Sequence, residues 1–397
     1  MKYERMTKAA MVGIAMVGAG LLAQNGGAAP APVTSKYDVS LYGYIKLDAA
    51  YDSQRTFAGN LMYYVLPEGK DGGQDEFNMT AKESRFGMTL TAPPIDDYKI
   101  SGKIETDFYG GGATENSPAL RLRLAYADVE NGHWMLRAGQ DWDTFVNLLP
   151  RTINFTSLAD AGALGLRRPQ VRLTHTLPLG EKTKLVSKLA AARTIGQDLD
   201  GAGQDDGAAA AYPTVQGNVS VETPGIAGRP MMIGISGHAG SETMAAYAAT
   251  EGGSEVPEAD YDTWSVIGTM GMPLSKALTL QGSVWTGENL DTYFGGIGQG
   301  INKTLRRSIS ASGGWLQLML DVTAKLNLNV GYGLDSPDSV DLNAGDRAKN
   351  ELVFTSLYYH LNSAVVLACE YSNMTTDYMA NADATADRVQ GSLIFKF

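Results

Sequence analysis

The stretch Leu120-Arg121-Leu122-Arg123-Leu124-Ala125-Tyr126 alternates apolar side chains with residues that include two arginines. A period of two fits a β-strand, whose successive side chains point to opposite faces, and fits no face of a helix. The predicted strand has one face with Leu120, Leu122, Leu124 and Tyr126, and an opposite face with Arg121 and Arg123. In a soluble sandwich the arginines would face bulk water. In a membrane barrel the apolar face would meet lipid and the arginines would line a wet lumen.

The same alternation continues from Val39 to the end of the chain. The links between the predicted strands alternate between long and short, and together they join about sixteen strands. Long links are predicted near residues 53–77, 110–118, 141–166, 194–213, 239–260, 287–304, 335–348 and 376–386. Short links are predicted near residues 93–97, 130–132, 178–182, 224–229, 273–276, 321–324 and 361–363. Outer-membrane barrels have this arrangement, with short periplasmic turns and long external loops. We therefore predict an all-β fold, a transmembrane antiparallel β-barrel of about sixteen strands.

The N-terminal residues have the layout of a targeting segment. Three basic residues among the first eight precede an apolar run over residues 9–23, and small residues follow. This order is typical of a secretory signal peptide, and the run is too short for a membrane-spanning helix. Cleavage after Ala23 or Ala28 fits the small residues. The chain then divides into a predicted signal peptide (1–28), a short periplasmic linker (29–38) and a β-barrel domain (39–397).

The composition limits the classes of function. The 397 residues carry a net charge of −11, which argues against nucleic acid as a partner. The single cysteine, Cys369, cannot form an internal disulfide and is predicted to be a packing residue. The four histidines are scattered without metal-ligand spacing, and the chain has no P-loop or dinucleotide fingerprint. No cofactor, no metal site and no enzymatic activity is therefore predicted.

Two features of the ends of the strands support the outer membrane of a Gram-negative bacterium as the location. Aromatic side chains cluster at both ends of the outward faces, as two interfacial girdles would require. The predicted girdles comprise Tyr51, Trp264, Tyr332 and Tyr371 on the loop side and Tyr126, Trp134, Tyr359 and Phe397 on the turn side. The last strand, residues 389–397, alternates and ends with Phe395 and Phe397. It resembles the terminal strand by which the barrel-assembly machinery recognises outer-membrane proteins.

Several motifs resemble those of known porins. Ser84-Arg85-Phe86-Gly87 is similar to the second strand of trimeric general porins. The segments Gly43–Asp48, Leu120–Tyr126 and Gly139–Phe145 resemble the DcaP-like porins more specifically. The resemblance implies a homotrimer, embedded in outer-membrane lipid and lipopolysaccharide, that takes up dicarboxylates and other small organic anions. We expect no counterpart here of the N-terminal coiled coil of the longer family members, because a short Pro/Ala linker precedes the first predicted strand.

By parity along the strands, eight basic residues point into the predicted lumen. They are Lys46, Arg85, Lys103, Arg121, Arg123, Arg137, Arg168 and Arg172. All but Lys46 lie on strands two to six, which are neighbours in a meander, so they would form a basic wall able to hold carboxylates. The alternative is a set of solvated lumen charges without selectivity, paired with Asp48, Glu105 and Asp107.

The third long link, residues 141–166, is predicted to fold into the barrel as a constriction loop. Its charged residues are Asp141, Asp143, Arg151 and Asp160, set among apolar residues that a purely external loop would not need. Acids on this loop that face the basic wall would create a transverse field at the narrowest point. The alternative is an external lid.

These observations predict a passive channel for small hydrophilic solutes that prefers anions, with many of the acidic residues placed in external loops. A non-conducting structural or adhesive barrel is one alternative, and an outer-membrane enzyme is another. For the enzyme, His175 is predicted on an outward row, away from any lumen nucleophile. The acidic, glycine-rich segment 198–207 lacks the spaced ligands of an EF-hand, and we interpret it as a solvated surface loop.

Overall fold

The structure, a computed structural model, describes residues 36–69, 72–111, 117–199, 205–248 and 255–397. The predicted signal peptide and most of the predicted linker lie outside these ranges. Residues Tyr37–Phe397 form one compact unit. No helix in the part of the chain that the structure describes is both long and apolar enough to cross a membrane.

Sixteen antiparallel strands form the unit, each hydrogen-bonded to its neighbours in sequence. They are β1 (Asp38–Asp52), β2 (Glu76–Thr80 and Arg85–Thr91), β3 (Lys99–Asp107), β4 (Arg121–Asn131), β5 (Trp134–Trp142), β6 (Arg167–Pro178), β7 (Lys184–Ala192), β8 (Thr214–Pro224), β9 (Pro230–Met244), β10 (Ala259–Pro273), β11 (Leu278–Glu288), β12 (Ser310–Asp321), β13 (Leu326–Pro337), β14 (Arg347–His360), β15 (Val365–Tyr378) and β16 (Ala384–Lys396). The predicted number of strands and their order are confirmed. The alternation of long and short links is confirmed too, although β9 extends to Met244, past the predicted start of a link at residue 239.

The barrel closes because β16 pairs with β1. The register runs from Tyr44 opposite Lys396 to Asp52 opposite Arg388. At the carboxy terminus, the Phe397 amide donates to the Gly43 carbonyl at 3.1 Å, and the Gly43 amide donates back at 3.0 Å. A β-carbon at residue 43 would collide with the Phe397 ring and the strand beside it, which explains the glycine. Because the barrel is closed, it has no strand edge with unpaired backbone N–H and C=O groups. Lipid could not form hydrogen bonds with such groups.

The two faces of the strands have the polarity of a membrane barrel, inverted relative to a soluble protein. In β8, for example, Val215 and Val219 are exposed on the outer surface, whereas Gln216 and Asn218 are buried inside. The predicted girdle residues Tyr51, Tyr332 and Tyr371 are likewise exposed outside. Polar side chains inside and apolar side chains outside are stable only when the outer face meets lipid.

A charge on the outer face should therefore destabilise the barrel, whereas the same change in a loop should not. Val284 of β11 is 68% exposed, and Val340 in the loop after β13 is 66% exposed. We expect Val284→Arg to cost about 2–4 kcal/mol of unfolding free energy, because arginine near the bilayer midplane is poorly solvated. Val340→Arg is the matched control and should cost nothing measurable in urea-unfolding titrations in lipid vesicles. Equal stability of the two variants would contradict a lipid-facing β11.

In β4 the alternation of the heptapeptide 120–126 breaks at a β-bulge. Leu122 pairs with Thr106 of β3 and Leu124 pairs with Glu105, so Arg123 is the additional residue. A bulge sets two residues against one, and the side chains beyond it therefore exchange faces.

The prediction that Leu124 and Tyr126 share the outward face of Leu120 and Leu122 is consequently wrong. Leu120 and Leu122 are exposed outside, whereas Leu124 and Tyr126 line the lumen. The Tyr126 ring supports the Arg137 guanidinium, whose carbon lies 3.6 Å from the ring centroid. Tyr126 is thus a lumen residue and does not belong to the outer girdle.

Within the described residues, three long loops fold into the lumen: the first (residues 53–69 and 72–75), the third (143–166) and the sixth (289–309). Met62 and Val65 of the first loop and Leu290 and Ile297 of the sixth are fully buried. The Thr156 hydroxyl of the third loop donates to the Met62 carbonyl at 3.1 Å. The insertion of the third loop was predicted from the sequence, and that of the other two was not. Apolar packing of these loops fills the side of the lumen along β11–β16.

Candidate functional site

The base of the third loop is fixed by a buried ion pair. Arg168 of β6 is 0% exposed, and its Nε lies 2.6 Å from Oδ1 of Asp143. The same carboxylate accepts from Gln216 Nε2 at 2.6 Å and from the Leu166 amide at 2.8 Å. The Arg168 guanidinium also packs 3.9 Å from the centroid of Tyr293, on the sixth loop. Burial raises the pKa of Asp143, and Arg168 acts in the opposite direction.

The middle of the loop reaches the opposite wall of the barrel. The Arg151 amide donates to Gln317 Oε1 at 2.8 Å, and Gln317 Nε2 donates to the Arg151 carbonyl at 2.7 Å. The Ile153 amide donates to Glu370 of β15 at 2.8 Å. The Arg151 guanidinium lies against the Tyr358 ring, 4.8 Å from its centroid. The loop therefore crosses the lumen, which confirms the predicted insertion and excludes an external lid.

Between this loop and the wall formed by β2–β6 lies a cavity of about 580 Å³. Its basic lining residues are Arg85, Lys103, Arg121, Arg123 and Arg167. Its acidic lining residues are Glu83, Glu105 and Asp141. The loop contributes uncharged groups to the lining, among them Thr152, Asn154 and Phe155. The narrowed part of the lumen is therefore basic on one side and neutral on the other.

Part of the basic side is neutralised by carboxylates of β3. Arg121 binds Asp107 bidentately, with distances of 2.9 and 2.6 Å. Arg123 donates to Glu105 at 2.8 Å and to Asp107 at 2.9 Å. The Nε of Arg85 lies 3.6 Å from Oε1 of Glu105. These contacts agree with the alternative in which lumen arginines pair with Glu105 and Asp107, but they do not account for every lining cation.

Two lining cations have no carboxylate within 4.0 Å among the described residues: Lys103 and Arg167. The Nζ of Lys103 lies over the Tyr42 ring, 4.8 Å from its centroid. The Arg167 guanidinium lies over Trp142, 4.6 Å from the centroid. The sequence prediction missed Arg167 because parity assigned the inward position to its neighbour Arg168. The Arg167-Arg168 doublet at the start of a strand was the available signal.

Lys46 and Arg168, both predicted to line the pore, do not reach the cavity. Lys46 is 3% exposed and forms an ion pair with Glu83; its Nζ is also 3.3 Å from Asp48 and donates to the Ile153 carbonyl at 2.8 Å. Arg168 holds the loop base. Both side chains point inward as parity predicts, but the inserted loop covers them.

Arg137 and Arg172 face the lumen on the turn side of the cavity and share one carboxylate. Asp141 Oδ2 lies 2.5 Å from Arg137 and 2.7 Å from Arg172. Arg137 also binds Asp128 with distances of 2.7 and 2.6 Å. Asp141 was predicted on the loop, but it belongs to β5 and is part of the wall.

The predicted acids of the loop do not face the basic wall, and the expected transverse field between them is therefore not formed. Asp143 is buried at the loop base. Asp160 is buried against the sixth loop, where its backbone amide donates to the Phe294 carbonyl at 3.0 Å. Burial raises the pKa of Asp160 to about 7, with Arg347 acting in the opposite direction, so this group carries only part of a charge at neutral pH. The loop acids fix the loop in position.

A family model described as DcaP outer membrane protein matches residues 19–224, more than half of the chain. The chain belongs to the DcaP outer membrane protein family. This DcaP-family protein is accordingly located in the bacterial outer membrane, with a channel fold. No curated protein matches the chain.

Solved structures with the same fold include several porins. The outer membrane channel DcaP of Acinetobacter baumannii is 22% identical, with a TM-score of 0.71 over 91% of this chain and 97% of that one. Salmonella typhi OmpF, in complex with daunomycin, is 11% identical, with a TM-score of 0.60 over 91% of this chain and 98% of that one. An anion-selective porin from Comamonas acidovorans is 13% identical, with a TM-score of 0.58 over 91% of this chain and 100% of that one. The likeness to these porins, at such low sequence identities, shows that the DcaP-family chain shares their fold.

Proposed function

We propose that this protein is a passive diffusion channel for small hydrophilic solutes that favours organic anions such as dicarboxylates, with no chemistry performed. The observation that carries the proposal is the pair of unneutralised cations, Lys103 and Arg167, opposite an uncharged loop face. An anion that passes between the wall and the third loop can take the place of water at both Lys103 and Arg167. The carboxylates of Glu105 and Asp107 are already engaged by Arg121 and Arg123, and so repel it less.

The net charge of −11 does not oppose this preference. In water at physiological ionic strength a charge is felt over a Debye length of about 8 Å. External acids such as Asp205, which pairs with Arg193 at 2.6 Å, therefore contribute little at the constriction. The basic residues Arg85, Arg121, Arg123, Arg137 and Arg172 add to the same wall, in proposed roles of anion attraction and solute orientation.

The proposed partners follow from the family and the fold. We infer a homotrimer in lipid and lipopolysaccharide, assembled by the barrel-assembly machinery through the terminal residues Phe395 and Phe397. Both side chains are exposed on the outer face at the end of β16, where a second protein can bind them. The porin from Comamonas acidovorans is anion-selective, which supports the proposed selectivity by analogy of fold.

The test is conductance of the purified protein in a planar bilayer. We expect stepwise conductance and, in a tenfold potassium chloride gradient, a reversal potential of the sign given by chloride. With the potassium salt of an aliphatic dicarboxylate, the reversal potential should keep that sign. A silent bilayer would favour the structural or adhesive barrel, and a reversal potential set by potassium would overturn the anion preference.

A further inference from the structure

The first and sixth loops each contribute one aromatic ring to the lining of the cavity beside the third loop. The rings belong to Tyr63 of the first loop and Phe294 of the sixth, and both side chains are partly exposed. Their centroids are 5.7 Å apart and the ring planes meet at 17°, so the two rings are stacked. Within the part of the chain that the structure describes, no other residue of these two loops lines the cavity. The stack is therefore the surface that these loops present to a solute.

The stack faces the external end of the basic wall. Arg121 begins β4 and Arg167 begins β6, and both strands start on the external side of the barrel. Burial and Asp160 raise the pKa of Tyr63 to about 12, whereas Arg121 and Arg167 act in the opposite direction. Both guanidinium groups therefore lie within electrostatic reach of the Tyr63 hydroxyl, and the entrance to the cavity lies between the stack and these cations.

The backbones of both aromatic residues are held by contacts that meet at Asp160 of the third loop. The Asp160 amide donates to the Phe294 carbonyl at 3.0 Å. Asn350 of β14 is 0% exposed, and its Nδ2 donates to the carbonyls of Tyr63 at 2.8 Å and Asp160 at 2.7 Å. The position of the stack is thus fixed by three loops and by a buried side chain of the barrel wall.

Phe294 has a backbone conformation that is unfavourable for a bulky residue. Its φ of 62° and ψ of 40° lie in the left-handed region, where the β-carbon of most side chains is crowded. Glycine adopts this conformation without steric cost. Non-glycine residues held in it occur preferentially at ligand clamps and other functional sites. The local backbone therefore does not explain a phenylalanine here, whereas a role of its ring in the channel would.

We propose that the stack of Tyr63 and Phe294 determines the largest solute that the channel admits, as a second narrowing element beside the third loop. This inference rests on the proposed channel function and deepens it. The width of a pore and the groups that line it determine which solutes pass. Two rings whose backbones are fixed limit the width, while Arg121 and Arg167 on the other side act on charge. The stack thus excludes solutes by size and not by charge.

The test uses uncharged sugars of increasing size, so that its result is independent of the anion preference. Proteoliposomes with the purified protein swell as a sugar enters, and the rates for a disaccharide and a trisaccharide are divided by the rate for a monosaccharide. Phe294→Gly should fold, because glycine suits the left-handed backbone, and should raise both ratios several-fold. Tyr63→Ala should raise them as well, whereas Tyr63→Phe, which keeps the ring, should not.

Arg306→Gly is the matched control. Arg306 belongs to the same loop as Phe294 and also has a left-handed φ, of 53°, but its side chain is exposed and does not line the cavity. Its ratios should equal those of the wild type. Unchanged ratios in both Phe294→Gly and Tyr63→Ala, with the monosaccharide still entering, would overturn the size limit and leave the channel function intact. A wild type that does not admit the monosaccharide would contradict the channel function and this inference with it.

Discussion

Arg168→Gln is expected to melt at a lower temperature than the wild type and to conduct more current through each open channel. The substitution removes the only cation bound to Asp143 among the described residues, and both side chains are almost fully buried. Removing one partner of a buried ion pair typically costs about 3–5 kcal/mol, because the remaining charge is uncompensated. The least costly relief is for the base of the third loop to leave its site and hydrate Asp143.

A released loop would widen the lumen beside β2–β6, since residues 149–157 supply one side of the cavity. Single-channel recordings should then show larger conductance steps and more noise, and the melting temperature in detergent should fall. The matched control is Arg151→Gln, on the same loop. Its guanidinium forms no ion pair within the described ranges, and Gln317 holds the backbone of this residue from both sides. Conductance and stability of the control should stay near those of the wild type.

Unchanged conductance in Arg168→Gln, together with a lowered melting temperature, would contradict the release of the loop. It would mean that the contacts of Thr152 and Ile153 with Glu370, and of Arg151 with Gln317, hold the loop without its base. The double variant Arg168→Gln with Glu370→Gln would then be the next measurement.

The fold could be predicted from the sequence because its main constraints repeat along every strand. Each strand must place apolar residues toward lipid and polar residues toward the lumen, so the period of two recurs throughout. An even number of strands allows β16 to pair antiparallel with β1. The links alternate in length because successive links lie on opposite sides of the membrane, with short periplasmic turns and long external loops. Local exceptions to this alternation could not be predicted from the sequence. The bulge at Arg123 reversed the faces of Leu124 and Tyr126 with no signal in composition or period.

The candidate site was only partly predictable from the sequence. Strand parity indicates whether a side chain points into the lumen or toward lipid, but not whether a loop covers a side chain that points into the lumen. Lys46 and Arg168 point inward as predicted, yet the third loop covers both. Which loops enter the lumen, and against which wall, is decided by contacts between residues distant in sequence, such as Ile153 with Glu370. For the same reason the loop acids Asp143 and Asp160 became anchors, while Arg167 at the strand boundary gained access to the channel.

Arg167→Gln should therefore lower the anion selectivity more cleanly than a single change at any of the carboxylate-paired arginines in the wall. Arg167 has no carboxylate partner within 4.0 Å in the described part of the chain, so its removal leaves no acid uncompensated. A unit charge about 4 Å from a permeating ion in water contributes about 1 kcal/mol. The permeability of the anion should thus fall about fivefold. The ratio of anion to cation permeability, measured from the reversal potential in a salt gradient, should fall by more than this factor because the cation is no longer repelled, with little change in melting temperature.

Arg121→Gln combined with Arg123→Gln should also shift the reversal potential toward the cation, but for two reasons that cannot be separated. The double change removes two cations and also frees Asp107 and Glu105, which those arginines engage. Arg193→Gln is the matched control for Arg167→Gln, since Arg193 lies on the external side and pairs with the partly exposed Asp205. Its reversal potential should equal that of the wild type. Equal selectivity of Arg167→Gln and the wild type would contradict this prediction. It would show that the arginines paired with carboxylates determine the selectivity. A guanidinium bound to one carboxylate still has free N–H donors for a second anion.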